Sequence, residues 1–269
     1  MSSLEIVVIS LPTSTLRRQL VAERLNSLPW PWRFFDAHRA SDNTLPYDPE
    51  RAFLMRGYRL QPGEIGAFSS HYACLRQHAA AEDPSRPYLL VLEDDVLLDN
   101  GFDFDLIPKL MTALRIEYLR LYSRFITRVR YLGRVGVSRG LYRFIVPPYG
   151  NQAYVVSRIG AQRFVRSVTS IERPIDDEMD RYWVNGLPTF ALFPYPALEL
   201  SLQTTVAKGY ADNRPISRTQ KARSIALAWW QKALREYCNF GLRSTDRAVS
   251  HALSKLDLQS VHREKFSRS

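Results

Sequence analysis

Tyr88-Leu89-Leu90-Val91-Leu92-Glu93-Asp94-Asp95-Val96 joins an unbroken apolar run to three consecutive carboxylates. Five apolar residues without polar alternation read as a strand buried on both faces, the pattern of a parallel sheet. Packing gains nothing from the acids that follow, because adjacent like charges repel and each is costly to desolvate. No Lys or Arg stands between them. A divalent cation would relieve the repulsion, and hard ions such as Mg²⁺ or Mn²⁺ prefer oxygen ligands of this kind. In open α/β sheets ligands bind at the carboxyl ends of strands, where this cluster falls. Alternation along an extended chain would turn Glu93 and Asp95 to one side and Asp94 to the other. An isolated triplet of this kind is more often a solvated turn, so its neighbours decide the reading.

Upstream, Leu4 to Leu11 reads as a buried first strand stopped by Pro12. Thr13, Ser14 and Thr15 offer cap oxygens to a helix carrying Leu16, Leu20, Val21, Leu25 and Leu28. Pro29 and Pro31 end that helix, and Trp32 to Asp36 reads as a second strand. Strand, helix and strand at this spacing form a βαβ unit and predict a parallel sheet. Arg17 and Arg18 fall in the first turn after strand one. They serve either as a solvated helix face or as phosphate contacts. Residues 40–60 read as loop-rich, with Asp42, Asn43, Pro46 and Pro49 as punctuation. From Pro62 a helix is expected, with Glu64 in its first turn and Ile65, Phe68, Tyr72, Leu75 and Ala79 on its buried face. Glu64, Ala67, His71, Cys74 and His78 make a neighbouring stripe. A lone helical histidine is more often structural than catalytic.

Downstream, Phe102 to Leu114 reads as a helix and Glu117 to Tyr122 as a strand. Arg124 to Arg143 reads as a pair of strands or an extended excursion, and Tyr154 to Val156 as a strand followed by a helix capped by Ser157. Pro174-Ile175-Asp176-Asp177-Glu178-Met179-Asp180 is a second acidic cluster. Asp176 can be an N-cap in a first turn that favours acids, or one of these carboxylates can face the first cluster as a general base. Leu187 to Tyr195 returns as an extended segment. Beyond Gly209 a basic amphipathic helix over residues 216–239, with Trp229 and Trp230, and a second helix over 246–256 are expected.

The 269 residues suffice for one large domain or a domain with an appendage, here divided as 1–208 and a basic helical extension 209–269. A hydrophobic fraction of 45% and a charged fraction of 24% suit a soluble globular protein. Two cysteines, Cys74 and Cys238, give no disulfide framework and point to a reducing compartment. The start of the chain lacks the pattern of a signal peptide, and no window reaches the length of a spanning helix. A cytoplasmic protein is expected. The net charge of +10 and pI near 9.7 call for an anionic partner: nucleic acid, a membrane surface or a phosphorylated substrate. From Lys208 onward stand thirteen basic and five acidic residues, so eight of the ten excess charges belong to the tail.

Several pieces taken in order resemble glycosyltransferase family 25, the group of bacterial lipooligosaccharide galactosyltransferases and procollagen galactosyltransferases. They are IVVISLPTSTLRRQ, FFDA, GYRLQPGEIGAFSSH, LLVLEDDV, GNQAYVVSRIGAQRFV and RPIDDEM, which together span about residues 4–205. The L-x-x-GEIG-x-x-x-SH segment shortly before LEDDV is the most specific of them. Ala67 stands where members commonly have a cysteine, and the tail lies outside the match. The resemblance implies a GT-A-like fold, an α/β Rossmann-type sheet flanked by helices. It also implies a UDP-sugar donor, Mn²⁺ or Mg²⁺, and inverting transfer to a hydroxyl of a glycan or lipid-linked glycan. Glu93-Asp94-Asp95 would take the place of the DxD motif, with Asp95 and Glu93 on the metal. Leu11, Arg17, Arg18, Asp36, Glu64, Glu93 and Asp94 would serve the donor. Asp176 matches the P-x-D position and is the expected base, with Asp177 and His71 behind it. The tail is read either as making peripheral contact with an anionic membrane at its inner face or as a helix packed on the domain with a basic outer face, and no nucleic acid partner is expected. The alternative is a metal-dependent nuclease or phosphoesterase, or a basic nucleic-acid-binding protein.

Overall fold

The computed structural model describes residues 3–26, 28–42, 45–200 and 217–256. Leu4–Ser10 (β1) is followed by Thr15–Leu25 (α1) and Trp32–Asp36 (β2). β1 pairs with β2 in parallel, the βαβ unit expected from the spacing. On its other side β1 pairs in parallel with Tyr88–Glu93 (β3). Pro62–Ala80 (α3) connects into that strand after Pro49–Arg56 (α2). Residues 40–60 are therefore not loop throughout. Asp48 accepts a hydrogen bond from the Arg51 N–H (2.9 Å), Pro49 opens the helix, and Gly57 closes it at φ 78°. These are ordinary start and stop signals.

The sheet does not stay parallel. Val96–Leu98 (β4), Leu106–Leu114 (α4) and Tyr118–Arg120 (β5) follow, then a hairpin of Val129–Val135 (β6) and Arg139–Phe144 (β7). Ala153–Ser157 (β8), Arg158–Ser167 (α5), Ile175–Met179 (α6), Tyr182–Asn185 (α7), Phe190–Phe193 (β9) and Ala197–Glu199 (β10) complete the domain. The eight-stranded order is β2-β1-β3-β8-β5-β9-β7-β6, with β10 and β4 as a separate pair. β8 lies antiparallel to both β3 and β5, which makes the sheet mixed. Leu92 pairs with Ala153 and Ile9 with Glu93. That register brings the start of β8 beside the ends of β1 and β3.

Both sheet faces are covered, which is why β1 and β3 are mainly apolar, with Glu5, Ser10 and Glu93 as the exceptions. Leu4, Ile6, Val8, Leu90 and Leu92 pack toward α1 and α4 with Leu110 and Met111. Val7, Ile9, Leu89 and Val91 pack on the other side with Phe68 and Leu75 of α3, Phe164 of α5 and Met179 of α6. α4 is shorter than the expected Phe102–Leu114, and Leu16 of α1 is exposed. Asp176 is not a cap, because Pro174 holds that position and Asp176 lies inside the first turn of α6.

The tail forms one helix, Arg218–Ser254 (α8), where two were expected. The boundary near residue 208, and with it Lys208 and Arg214, lies outside the described residues, as do Arg263, Lys265 and Arg268. Gly241 does not break α8, because tertiary contacts hold the helix on both sides of it. Buried Arg143 of β7 forks onto Asp246 (2.5 and 2.9 Å) and also reaches Asn239 (2.9 Å). Arg130 adds a second cation to Asp246 at 3.2 Å. Val249 and Leu253 join the core beside Leu132. Among the described residues no helix is long and apolar enough to cross a membrane.

Removing one partner of a buried ion pair leaves an uncompensated charge. Asp246→Ala should lower stability to urea by about 3–5 kcal/mol, whereas Arg143→Met with Asp246→Leu should recover most of it. A single-site loss below about 1 kcal/mol would show that Arg143 and Asp246 do not hold α8 in place.

Candidate active site

At the carboxyl ends of β1 and β3 a cavity of about 400 Å³ opens, walled by the end of β1, the start of α1, residues 37–40, the first half of α3 and Glu93 to Asp95. Small residues on α3 make the close approach of residues 37–40 feasible. A side-chain carbon on Gly66 would stand 2.8 Å from the His38 carbonyl oxygen. Ser70 donates to the Gly66 carbonyl (2.7 Å) and accepts the His38 N–H (2.8 Å), which closes that wall.

The strand ends at Glu93 and the chain turns over Asp94 and Asp95, so all three carboxylates line one cavity. Alternation does not separate them. Asp94 takes hydrogen bonds from Ser10 Oγ (2.7 Å) and Arg17 Nη1 (2.8 Å). The neutralising cation absent from the local sequence thus comes from α1. Glu93 lies 3.6 Å from Nε2 of His71, whose Nδ1 is 3.0 Å from the Tyr154 hydroxyl. Burial keeps the Tyr154 phenol protonated well above its usual range. With that hydroxyl donating to Nδ1, the imidazole proton would sit on Nε2, facing Glu93.

Asp95 is the exception. Its Oδ1 is buried without a hydrogen-bond partner. Burial first, then the carboxylates of Glu93, Asp94 and Glu199, raise its pKa to about 7. Glu199 of β10 enters because the Leu200 N–H donates to the Asp95 carbonyl at 2.7 Å. The Glu199 carboxylate is held by Tyr122 (2.5 Å), Gln152 (3.2 Å) and Arg124 (3.4 Å). Gln152 Oε1 is a second buried acceptor without a partner. The orphaned Asp95 oxygen, in a cavity lined by three carboxylates, fits a hard cation. Among the described residues no three His, Cys, Asp or Glu side chains converge closely enough to hold an ion by themselves. An ion here would therefore draw further ligands from its substrate or from water.

The second acidic cluster lies outside the lining of this pocket. Asp176 accepts the N–H groups of Gly150 (2.8 Å) and Asp177 (2.9 Å). Arg120, fully buried, forks onto Asp180 (3.0 and 2.9 Å) and donates to the Gly150 carbonyl. Tyr149 and Gly150, both left-handed at φ 59° and 76°, are thereby pinned from two sides. The turn sets Gln152, whose carbonyl accepts the Glu93 N–H at 2.8 Å. Asp177 is paired with Arg56 (3.3 Å) and Arg173 (3.5 Å).

Of the residues singled out in the sequence, Leu11, Arg17, His71, Glu93, Asp94 and Asp95 line one cavity. Arg18 and Asp36 pair with each other beside it, and Arg18 also reaches the Ser10 carbonyl (2.8 Å). Glu64 completes the cap of α3 on the Gln61 N–H (2.8 Å) and accepts from Tyr58 (3.0 Å). Asp176 and Asp177 lie outside the lining. Ser10, Ser70, Gln152, Tyr154 and Glu199 were not read from the sequence. Ser10 alone carried a signal, its place at the end of a buried strand.

The family model described as glycosyltransferase family 25 (LPS biosynthesis protein) matches residues 3–179. The lacto-N-neotetraose biosynthesis glycosyltransferase LgtE of Neisseria gonorrhoeae is 36% identical over 98 residues, 35% of this chain and 33% of that protein. The lipooligosaccharide biosynthesis protein lic2B of Haemophilus influenzae is 33% identical over 96 residues, 36% of this chain and 35% of that protein. The alignments thus span about a third of either relative. Among solved structures, a glycosyltransferase that glycosylates the major capsid of PBCV-1 overlaps 59% of this chain and 61% of its own, at 14% identity and TM-score 0.32. A Drosophila galactosyltransferase complex with manganese, UDP-Gal and xylobiose overlaps 82% and 79%, at 8% identity and TM-score 0.34.

The Gly66 contact is with backbone, so it cannot be relieved by a rotamer change. Gly66→Ala should cost about 1–3 kcal/mol in urea unfolding. Stability equal to the parent's would mean that residues 38–40 do not pack against α3 as described.

Proposed function

Because the chain belongs to glycosyltransferase family 25, we propose that it transfers a hexose, galactose before glucose, from a UDP-sugar to a hydroxyl of a glycan. The transfer inverts the anomeric centre and serves lipopolysaccharide or lipooligosaccharide synthesis. The acceptor is a glycan or a lipid-linked glycan presented at the inner face of a membrane. The observation that carries this reading is the unpartnered Asp95 Oδ1 in an acidic cavity at the sheet's carboxyl edge.

Other features support a diphosphate donor. The first turns of α1 and α3 both border the cavity, and helix N-termini favour phosphate. Ser14, at the N-cap of α1, makes no side-chain cap bond and also lines the cavity. Arg17 and Arg39 add positive charge to the wall. Asp95 and Glu93 are the residues proposed to hold Mn²⁺ or Mg²⁺. When bound, the ion supplies neutralisation of the charge that grows on the departing diphosphate. His71 orients Glu93, and Ser10 and Arg17 orient Asp94. For the acceptor proton we propose Asp176. Asp177 is tied to two arginines and His71 is buried between Tyr154 and Glu93, whereas Asp176 is partly open and receives backbone donors. A carboxylate suffices as base when the leaving group is this good.

A thermal-shift screen of UDP-sugars with and without Mn²⁺ tests the donor. At a hundred times its Kd the true donor should stabilise the protein by about 2.7 kcal/mol. Asp95→Asn should abolish transfer and the metal-dependent part of that shift while the fold persists. Full activity in this variant would refute the metal assignment.

Asp176→Asn should lower kcat by about 10²–10⁴-fold with little change in donor affinity, since the base acts on the acceptor. A variant that melts earlier yet turns over normally would reduce Asp176 to a support for the Tyr149–Gly150 turn.

A further inference from the structure

α8 has two faces of different chemistry. Its inner face carries Gln231, Asn239, Asp246, Val249 and Leu253 onto the domain, with Gln231 accepting from Trp183 Nε1 at 2.7 Å. On the outer face, residues three or four apart run Ile225, Trp229, Ala233, Tyr237 and Phe240, with Trp230 alongside. The large ones are 51%, 66%, 78%, 68% and, for Trp230, 60% exposed. Neither tryptophan packs into the domain. So long an apolar stripe on one helix marks an interaction surface.

The charge around the stripe has one sign. Arg218, Lys221, Arg223, Lys232, Arg243 and Arg247 are all exposed, while Glu236 already faces Arg128 and Arg235 and Asp246 is buried against Arg143. Two of these cations lie over the exposed rings: Lys232 Nζ is 5.1 Å from the Trp229 centroid, and the Arg243 guanidinium is 5.1 Å from that of Phe240. We propose that the outer face of α8 docks on the surface of an anionic phospholipid bilayer. The tryptophans enter the headgroup boundary while the lysines and arginines meet lipid phosphates.

Charge selects this occupant over the others. A second copy would set like charges against each other. The two segments of this chain that adjoin α8 have excess positive charge of their own: Lys208 and Arg214 against Asp212, and Arg263, Lys265 and Arg268 against Asp257 and Glu264. A helix lying in the interface also needs none of the apolar length that a spanning helix does. The inference stands on α8 alone and does not depend on the transferase reading.

Vesicle sedimentation of the full chain, without donor or metal, tests it. Binding to vesicles of phosphatidylglycerol and phosphatidylcholine should exceed binding to phosphatidylcholine alone by at least tenfold and weaken with added salt. Tryptophan emission should shift to shorter wavelength on binding. Trp229→Ser with Trp230→Ser should abolish that shift and weaken binding at least tenfold. Lys221→Glu with Lys232→Glu should weaken it by about fivefold or more per charge while leaving the fold's circular dichroism unchanged. Transfer to a soluble acceptor should be equal in all variants, which separates this result from the fate of the catalytic reading. Equal binding to neutral and anionic vesicles, no effect of either double variant, or a dimer in solution that the tryptophan changes dissociate would each overturn the proposal.

Discussion

Four carboxylates, Glu93, Asp94, Asp95 and Glu199, are gathered at one end of a buried sheet, and their mutual repulsion shapes much of what surrounds them. Two are satisfied by donors from separate elements: Ser10 and Arg17 serve Asp94, and Tyr122, Gln152 and Arg124 serve Glu199. Glu93 stands 3.6 Å from Nε2 of His71. Asp95 alone keeps a buried oxygen without a partner. A group left in that state is a cost to the fold. It is also what a site for a positively charged ligand requires, since a carboxylate already paired would have nothing left to offer.

The mixed sheet makes this gathering feasible. The parallel strands β1, β2 and β3 bring their carboxyl ends together in the usual manner of α/β folds. The antiparallel entry of β8 then places its leading turn, rather than its far end, against the same edge. That turn holds two left-handed residues between Arg120 and Asp176. Buried ion pairs such as Arg120–Asp180 add little net stability over apolar packing. Here Arg120 also fixes a carbonyl, so its return is in geometry.

A second buried arginine, Arg143, does the same service at the other edge of the sheet, where it fastens α8 across the β6–β7 hairpin. The helix is thereby held with its polar anchors inward and its aromatic residues outward, the reverse of what aromatic content alone would suggest. Its exposed cations then stand in one field, since Glu236 is already paired with Arg128 and Arg235 and Asp246 is buried. The basic excess is a property of this surface rather than of the cavity, where acids and arginines are interleaved.

Much of this protein was legible along the chain. The mainly apolar stretches Leu4–Ser10 and Tyr88–Glu93 read as two strands of a parallel sheet, because a strand buried on both faces shows no regular polar alternation; that they lie side by side was decided by the fold. The acids after the second run pointed to the cavity they line, because no packing argument places three charges there. The start of α3 was readable from Pro62 and Glu64, although Glu64 caps the helix and does not face the cavity. Only the tertiary structure decided the rest. Arg17, Ser10, Gln152 and Glu199 reach the acids through pairings between residues far apart in sequence, and local pattern carries no record of such pairings. The same holds for Asp176, whose place in the first turn of α6 looked like a cap or a base. Its hydrogen bond to Gly150 depends on where β8 enters the sheet. The unity of α8 was hidden for a related reason: Gly241 signals a break, and Arg143, nearly a hundred residues earlier in the chain, overrides it.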